Sequence, residues 1–90
     1  MASTILKYAL NSPACEIDLP IGAKILSVQV QGQDAFMWAL VNMARRRGIK
    51  SRHVAIYLDG HLVPDDPGRF INTFQIPELG MAFHAFEVGG

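Results

Sequence analysis

Strict alternation of apolar and polar side chains, the period of a strand with one wet face, recurs along most of this chain. In Lys24 to Gln31, Leu26, Val28 and Val30 fall on one side, and Ser27, Gln29 and Gln31 fall on the other with Ile25. His53 to Leu58 alternates Val54, Ile56 and Leu58 with His53, Ala55 and Tyr57, and its β-branched content suits a strand. Met81 to Val88 is apolar on both sides, which predicts a central or covered strand. Ile5 to Leu10 groups Leu6, Tyr8 and Leu10. Cys15, Ile17 and Leu19 alternate with Glu16 and Asp18, and Phe70 to Ile76 sets Phe70, Asn72, Phe74 and Ile76 together. Pro13, Pro20, Gly22, Gly32, Gly48, Gly60, Pro64, Pro67, Gly68, Pro77 and Gly80 separate these pieces, and such punctuation favours short strands.

Asp34 to Gly48 satisfies two periods. As a helix it has Asp34 at the N-cap, Phe36, Ala39, Leu40, Met43 and Ala44 on one face, and Arg45, Arg46 and Arg47 in the last turn before Gly48. As a strand it opposes Phe36, Trp38 and Leu40 to Met37, Ala39 and Val41, with an arginine-rich loop behind it. Periodicity alone favours the helix.

Composition narrows the class. Ninety residues form one domain, residues 1–90, and at 50% hydrophobic and 18% charged the chain collapses around a core. Eight basic and eight acidic side chains cancel, which argues against a generic nucleic-acid binder. One cysteine, Cys15, excludes an intrachain disulfide and a cysteine-rich zinc module. No apolar run approaches the ~20 residues of a membrane-spanning helix, and Met1 to Tyr8 lacks the pattern of a signal peptide. These features lead us to expect a soluble protein of a reducing compartment.

The segments ILKYAL (Ile5 to Leu10), LPIGAKILSVQVQ (Leu19 to Gln31), WALV (Trp38 to Val41), GHLVPDDPGRFINTFQ (Gly60 to Gln75) and AFHAFE (Ala82 to Glu87) carry a collinear resemblance. The chain resembles a family of small, uncharacterised proteins encoded by tailed phages and prophages. The resemblance implies a compact β-rich domain of phage origin and supplies no activity or catalytic residue. In that family WALV looks like a strand entering a proline-containing loop, whereas Asn42 to Ser51 here carries Arg and Lys without Pro. On the resemblance we read Phe36 to Val41 as a strand and leave room for one short helix between Asn42 and Ser51. The expected fold is all-β: an antiparallel sandwich or small barrel of six or seven strands. Its expected core is Leu6, Tyr8, Leu10, Ile17, Leu26, Val28, Val30, Phe36, Trp38, Leu40, Val54, Ile56, Phe74 and Phe83.

Five of the eight positive charges, Arg45, Arg46, Arg47, Lys50 and Arg52, lie close together, with His53 beside them. Such a run is either a solvated turn or a surface that docks an anion, and arginine favours bidentate contacts. We read it as a partner-binding surface for a host protein or a small anionic molecule. No aromatic residue interleaves with the arginines, which argues against nucleic acid. Asp59, Asp65 and Asp66, with His61, form an acidic counterpart that invites head-to-tail self-association into a homo-oligomer. Exposed ion pairs supply only ~0–1 kcal/mol each, so charge alone would not hold such an assembly.

His61 with Asp65 and Asp66, joined by His53 or His84, has no recognised metal-ligand spacing, and Asp59-Gly60 reads more simply as a hairpin turn. His84 lies in an apolar strand and reads as a satisfied core histidine. Cys15 beside Glu16 lacks an electropositive setting. We therefore expect no enzyme activity, no catalytic residue, no metal and no cofactor. An aromatic left outside, Tyr57 or Phe70, would mark a contact surface.

The leading functional expectation is a non-enzymatic phage accessory protein in the host cytoplasm that binds and blocks or sequesters its partner, in host takeover or anti-defence. One alternative is a virion structural or decoration protein. Another is a sulfur carrier of the β-grasp type, suggested by the terminal Gly89-Gly90 and by a helix across Asp34 to Arg47.

Overall fold

The computed structural model describes residues 2–43 and 48–89. Among these residues seven strands follow one another: β1 (Ser3–Leu10), β2 (Ala14–Pro20), β3 (Lys24–Gln31), β4 (Asp34–Asn42), β5 (Ile49–Leu58), β6 (Arg69–Ile76) and β7 (Met81–Val88). They form two antiparallel sheets, one ordered β1-β4-β3 and the other β2-β5-β7-β6. The fold is an all-β sandwich, one of the two architectures expected from the alternation and the family resemblance together. Strand β7 is internal to its sheet, as its two apolar faces require, and the disputed Phe36 to Val41 lies within the central strand β4.

Local chemistry sets the connections. β3 and β4 meet through a two-residue loop, Gly32-Gln33, since Gln31 pairs with Asp34. Gly32 takes φ 65°, whereas no other residue type has positive φ among the described residues. This is the signature of a type II′ hairpin, whose first central position favours glycine. β6 passes to β7 through one 3₁₀ turn, Pro77–Leu79, closed by Gly80 at φ 62°. Asp59-Gly60 does form a tight turn, with His61 N–H donating to the Leu58 carbonyl at 3.1 Å. It is not the expected hairpin, because β7 lies between β5 and β6.

The inward faces of both sheets form one core. Leu19, Val28, Met37 and Val41 are fully buried and Val54 nearly so, and Phe74 stacks on Phe83 with ring centroids 5.5 Å apart. Leu6, Tyr8, Ile17, Val30 and Ile56 pack against this centre half-buried. Burying each such aliphatic side chain stabilises the fold by about 1.5–3 kcal/mol.

Three expectations are corrected. First, the inward residues of β4 are Met37, Ala39 and Val41, and Phe36, Trp38 and Leu40 face outward. The register explains the phase: Leu6 pairs with Ala39, Tyr8 with Met37 and Leu10 with Ala35. Cross-strand partners share a face, so the bulky inward side chains of β1 leave room beside them for alanine but not for tryptophan. Second, Leu26 is 38% exposed, because a bulge between Ile25 and Ser27 reverses the alternation. A second bulge, between Phe70 and Asn72, likewise puts Phe70 outside and Ile71 against the core. Third, Ile49 to Ser51, part of the span left open for a helix, belongs to β5, while residues 44–47 lie outside the described residues. Strand β4 likewise stands where the β-grasp comparison needs a helix.

The two bulged strands, β3 and β6, are where the sheets come together. The Asn72 side chain bridges them. Its Oδ1 accepts from Val28 N–H at 2.7 Å, and its Nδ2 donates to the Val28 carbonyl at 2.8 Å. One carboxamide thus replaces the neighbouring strand that Val28 lacks. Replacing Asn72 by Leu leaves both backbone groups of Val28 unpaired in a part-buried site, and each such loss costs about 1–3 kcal/mol. We expect Asn72→Leu to lower unfolding free energy by about 2–4 kcal/mol in urea titrations, and Asn72→Asp, which keeps only the acceptor, to fall between it and wild type. Gly68 supplies a second close approach: a Cβ there would overlap the Glu87 carbonyl, and its φ is 98°. Gly68→Ala should lower Tm more than Gly60→Ala, where positive φ is the sole obstacle because a Cβ meets nothing within 4 Å.

Candidate anion-binding mouth

The inward phase of β5 runs Arg52, Val54, Ile56, and that of β7 runs Phe83, Ala85, Glu87. At one end of the sandwich the apolar layer therefore gives way to charge. Arg52 and Glu87 meet there in a bidentate pair, Nε to Oε2 and Nη2 to Oε1, the second at 2.9 Å. Nη1 of Arg52 donates to the Ala23 carbonyl at 2.7 Å, on the approach to β3. The guanidinium so ties the four-stranded sheet to the chain entering the three-stranded one. Both side chains are largely shielded, at 15% and 17% exposure. The hydrogen bonds from Arg52 hold the Glu87 carboxyl below its ordinary range against the opposing effect of burial, and the charges of Arg52, Arg69 and Lys50 add to this. The same hydrogen bond to Glu87 raises the Arg52 pKa.

Around this pair lies an open cavity of 360 Å³ lined by Lys24, Ile25, Arg52, Arg69, Ile71 and Glu87, among others. Lys24 is the first residue of β3 and Arg69 the first of β6, so the two strand starts bring both cations to this mouth. Neither makes a hydrogen bond or ion pair among the described residues. Three cations thus surround one carboxylate, which Arg52 already neutralises. The arrangement suits an oxyanion: two long flexible cations over a fixed guanidinium that retains N–H groups beyond its three bonds.

The residues singled out from the sequence separate. Arg45, Arg46 and Arg47 lie outside the described residues. Lys50 is exposed on β5 near the mouth, and Arg52 lies in its wall with its charge turned to Glu87. His53 faces the other way, 3.8 Å from the Glu16 carboxylate and 57% exposed. Of the acidic group, His61, Asp65 and Asp66 stay exposed in the connection from β5 to β6, beside a Leu62 that is 97% exposed. Among the described residues no three His, Cys, Asp or Glu side chains converge as metal ligands would.

Asp59 is drawn instead to His84. Its Oδ1 lies 2.6 Å from Nε2, and Nδ1 of the same ring lies 2.8 Å from Thr73 Oγ1. Hydroxyl, imidazole and carboxylate thus line up across β6, β7 and the end of β5. They sit on the outward face, where Asp59 is 67% exposed and water competes for every partner. The physical effect is a cross-strand tie. His84 is satisfied, as its strand position suggests, but on the outer face and not in the core. Phe70, at 55% exposure, is an aromatic left open to solvent, edge-on to Phe86, which in turn meets Tyr57. Cys15 is held by Ser12, whose N–H donates to Sγ and whose carbonyl accepts from it.

Sequence reasoning missed Lys24, Arg69, Glu87 and Asn72. A signal for two of the mouth residues existed: Arg52 and Glu87 both fall on the apolar phase of their strands, where an unpaired charge would be costly.

The Glu87 shift makes stability depend on pH. Its carboxyl binds a proton less readily when folded than unfolded, so acidification from the ordinary carboxylate range, about 4.3, favours the unfolded chain. The contribution is fully present above that range and is lost as pH falls through the lowered folded value. We expect Tm of the wild type to drop across this window and Glu87→Gln to flatten the drop while lowering Tm at pH 7, as followed by circular dichroism.

No curated protein and no solved structure matches the chain. Residues 1–90 match a family described as a domain of unknown function (DUF7352). The match spans the whole chain, which therefore belongs to the DUF7352 family.

Proposed function

We propose that this protein is a non-enzymatic binding module that captures an oxyanion group at the mouth formed by Lys24, Arg52 and Arg69. The observation that carries the reading is the surplus of positive charge in one cavity. Arg52 neutralises Glu87, and the Lys24 and Arg69 side chains beside it make no hydrogen bond or close ion pair among the described residues, Arg69 acting on Glu87 only through its longer-range charge. In a chain with no net charge, Lys24 and Arg69 meet beside Arg52 in one cavity, whose lining of Ile25 and Ile71 strengthens their pull on an anion. A cavity of this size admits a small phosphate- or carboxylate-bearing molecule. The same chemistry would receive an acidic side chain of a host protein. The resemblance to small phage and prophage proteins supports a setting in the infected cell, where such a module would block or sequester its partner in the service of host takeover or anti-defence.

The test is direct binding to the full chain, by calorimetry, of two probes: inorganic phosphate and a glutamate-rich peptide. We expect Lys24→Ala/Arg69→Ala to weaken the probe that binds about tenfold or more, with Tm nearly unchanged, because neither side chain holds the fold together. Tighter binding of phosphate would identify a small-molecule ligand, and tighter binding of the peptide a protein ligand. Absence of binding by both probes, or equal binding by the double variant, would refute the assignment.

A further inference from the structure

Two sheets present four outer edges, and three of them are guarded. The edges of β3 and β6 are bulged and face each other across the Asn72 bridge. The edge of β2 carries exposed Glu16 and Asp18 and ends at Pro20. Charge, proline and bulges are the devices by which sheets avoid pairing with other chains. The fourth edge, β1, has no proline and no bulge, and it carries one charge. It runs eight residues, STILKYAL, with an unbroken register against β4 and no proline. Its single charge, Lys7, is turned across the sheet: Nζ donates to Gln31 of β3 at 2.9 Å and lies 4.5 Å from the Phe36 ring centre.

The direction of the free backbone groups follows from one hydrogen bond. Met43 N–H donates to the Ala2 carbonyl at 3.1 Å, one step beyond the Ser3–Asn42 pair. In an antiparallel ladder the pointing alternates, so the even residues of β1 face β4, and Ser3, Ile5, Lys7 and Ala9 face away. The same alternation carried across β4 turns the Val28 groups away from β4, which agrees with their bonds to Asn72. Those four residues also carry the outward side chains of β1. Beside them Ile5 is 56% exposed, its partner Leu40 36%, and Leu26 on β3 38%.

We infer that β1 pairs antiparallel with β1 of a second copy of this chain, with Ile5 facing Ile5 across a two-fold axis. Three observations select a second copy. An antiparallel edge meets its own image with donors facing acceptors. Shifting the axis to Lys7 would oppose two like charges, whereas Ile5 at the axis opposes two apolar side chains and sets Ser3 against Lys7. A net charge of zero leaves no long-range repulsion between copies. The product is a six-stranded sheet, β3-β4-β1-β1-β4-β3, with Leu40 and Ile5 of both copies in one continuous apolar row. This contact is separate from the acidic loop of Asp59, His61, Asp65 and Asp66.

Sedimentation velocity of the full chain at concentrations up to about 100 μM tests the pairing. The expected result is twice the 9.9 kDa chain mass. Ile5→Pro removes an N–H that points away from β4, so it should halve the mass and leave the β-sheet circular dichroism unchanged. Ile5→Glu, which sets two carboxylates against each other at the axis, should halve it as well and serves if the proline variant fails to fold. A wild-type monomer across the concentration range, or a folded Ile5→Glu variant that stays dimeric, would overturn the inference.

Discussion

The carboxamide of Asn72 holds a position on which the whole sandwich depends. Backbone ladders join the strands within each sheet, but among the described residues no ladder runs between the sheets. Asn72 supplies a substitute at the edge where β3 and β6 meet, giving Val28 the donor and acceptor that a further strand would have given. Arg52 does related work toward the sandwich end, reaching from β5 to the Ala23 carbonyl while Glu87 balances its charge. Around these polar ties the apolar interior supplies bulk stabilisation without direction. The ties supply direction, because hydrogen bonds fix angle and distance where burial fixes neither.

Much of this fold was legible in the sequence, and the places where it was not have two causes. Period-two alternation located β3 and β7 to the residue and the other strands to within a few positions. It misplaced the residue at or before each bulge, Leu26 and Phe70, since one extra residue there reverses the phase between the two halves of the strand, whereas Val28, Val30 and Phe74 beyond the bulges turn inward as the alternation predicts. In β4 the error had a different origin. Hydrophobicity ranks Phe36, Trp38 and Leu40 above Met37, Ala39 and Val41, but the opposing β1 side chains decide by volume, and the smaller set fits. The same segment also satisfies a helical period, and only its resemblance to a known family pointed to a strand.

The candidate mouth was half legible. A cluster of basic residues stood out because the eye finds charges that are adjacent in sequence. Lys24, Arg69 and Glu87 are separated by tens of residues, and only strand order brings them together. Arg52 illustrates the cost of reading charge by proximity alone: it belongs to the basic run by number, yet its guanidinium is turned to Glu87 and the Ala23 carbonyl. The line of Thr73, His84 and Asp59 was invisible for the same reason, since it joins three strands at one level of the outer face.

Bonding one carboxamide to both main-chain groups of a single residue also acts as a detent against sliding. If the sheets slipped by one position, Asn72 would meet Ser27 or Gln29, whose main-chain groups are already spent on β4. A slip of two positions would restore a free pair of groups but would carry the bulges of β3 and β6 out of alignment. The alignment of one layer over the other is thus discrete, like a key with one notch, and a greasy interior alone would have allowed the layers to drift.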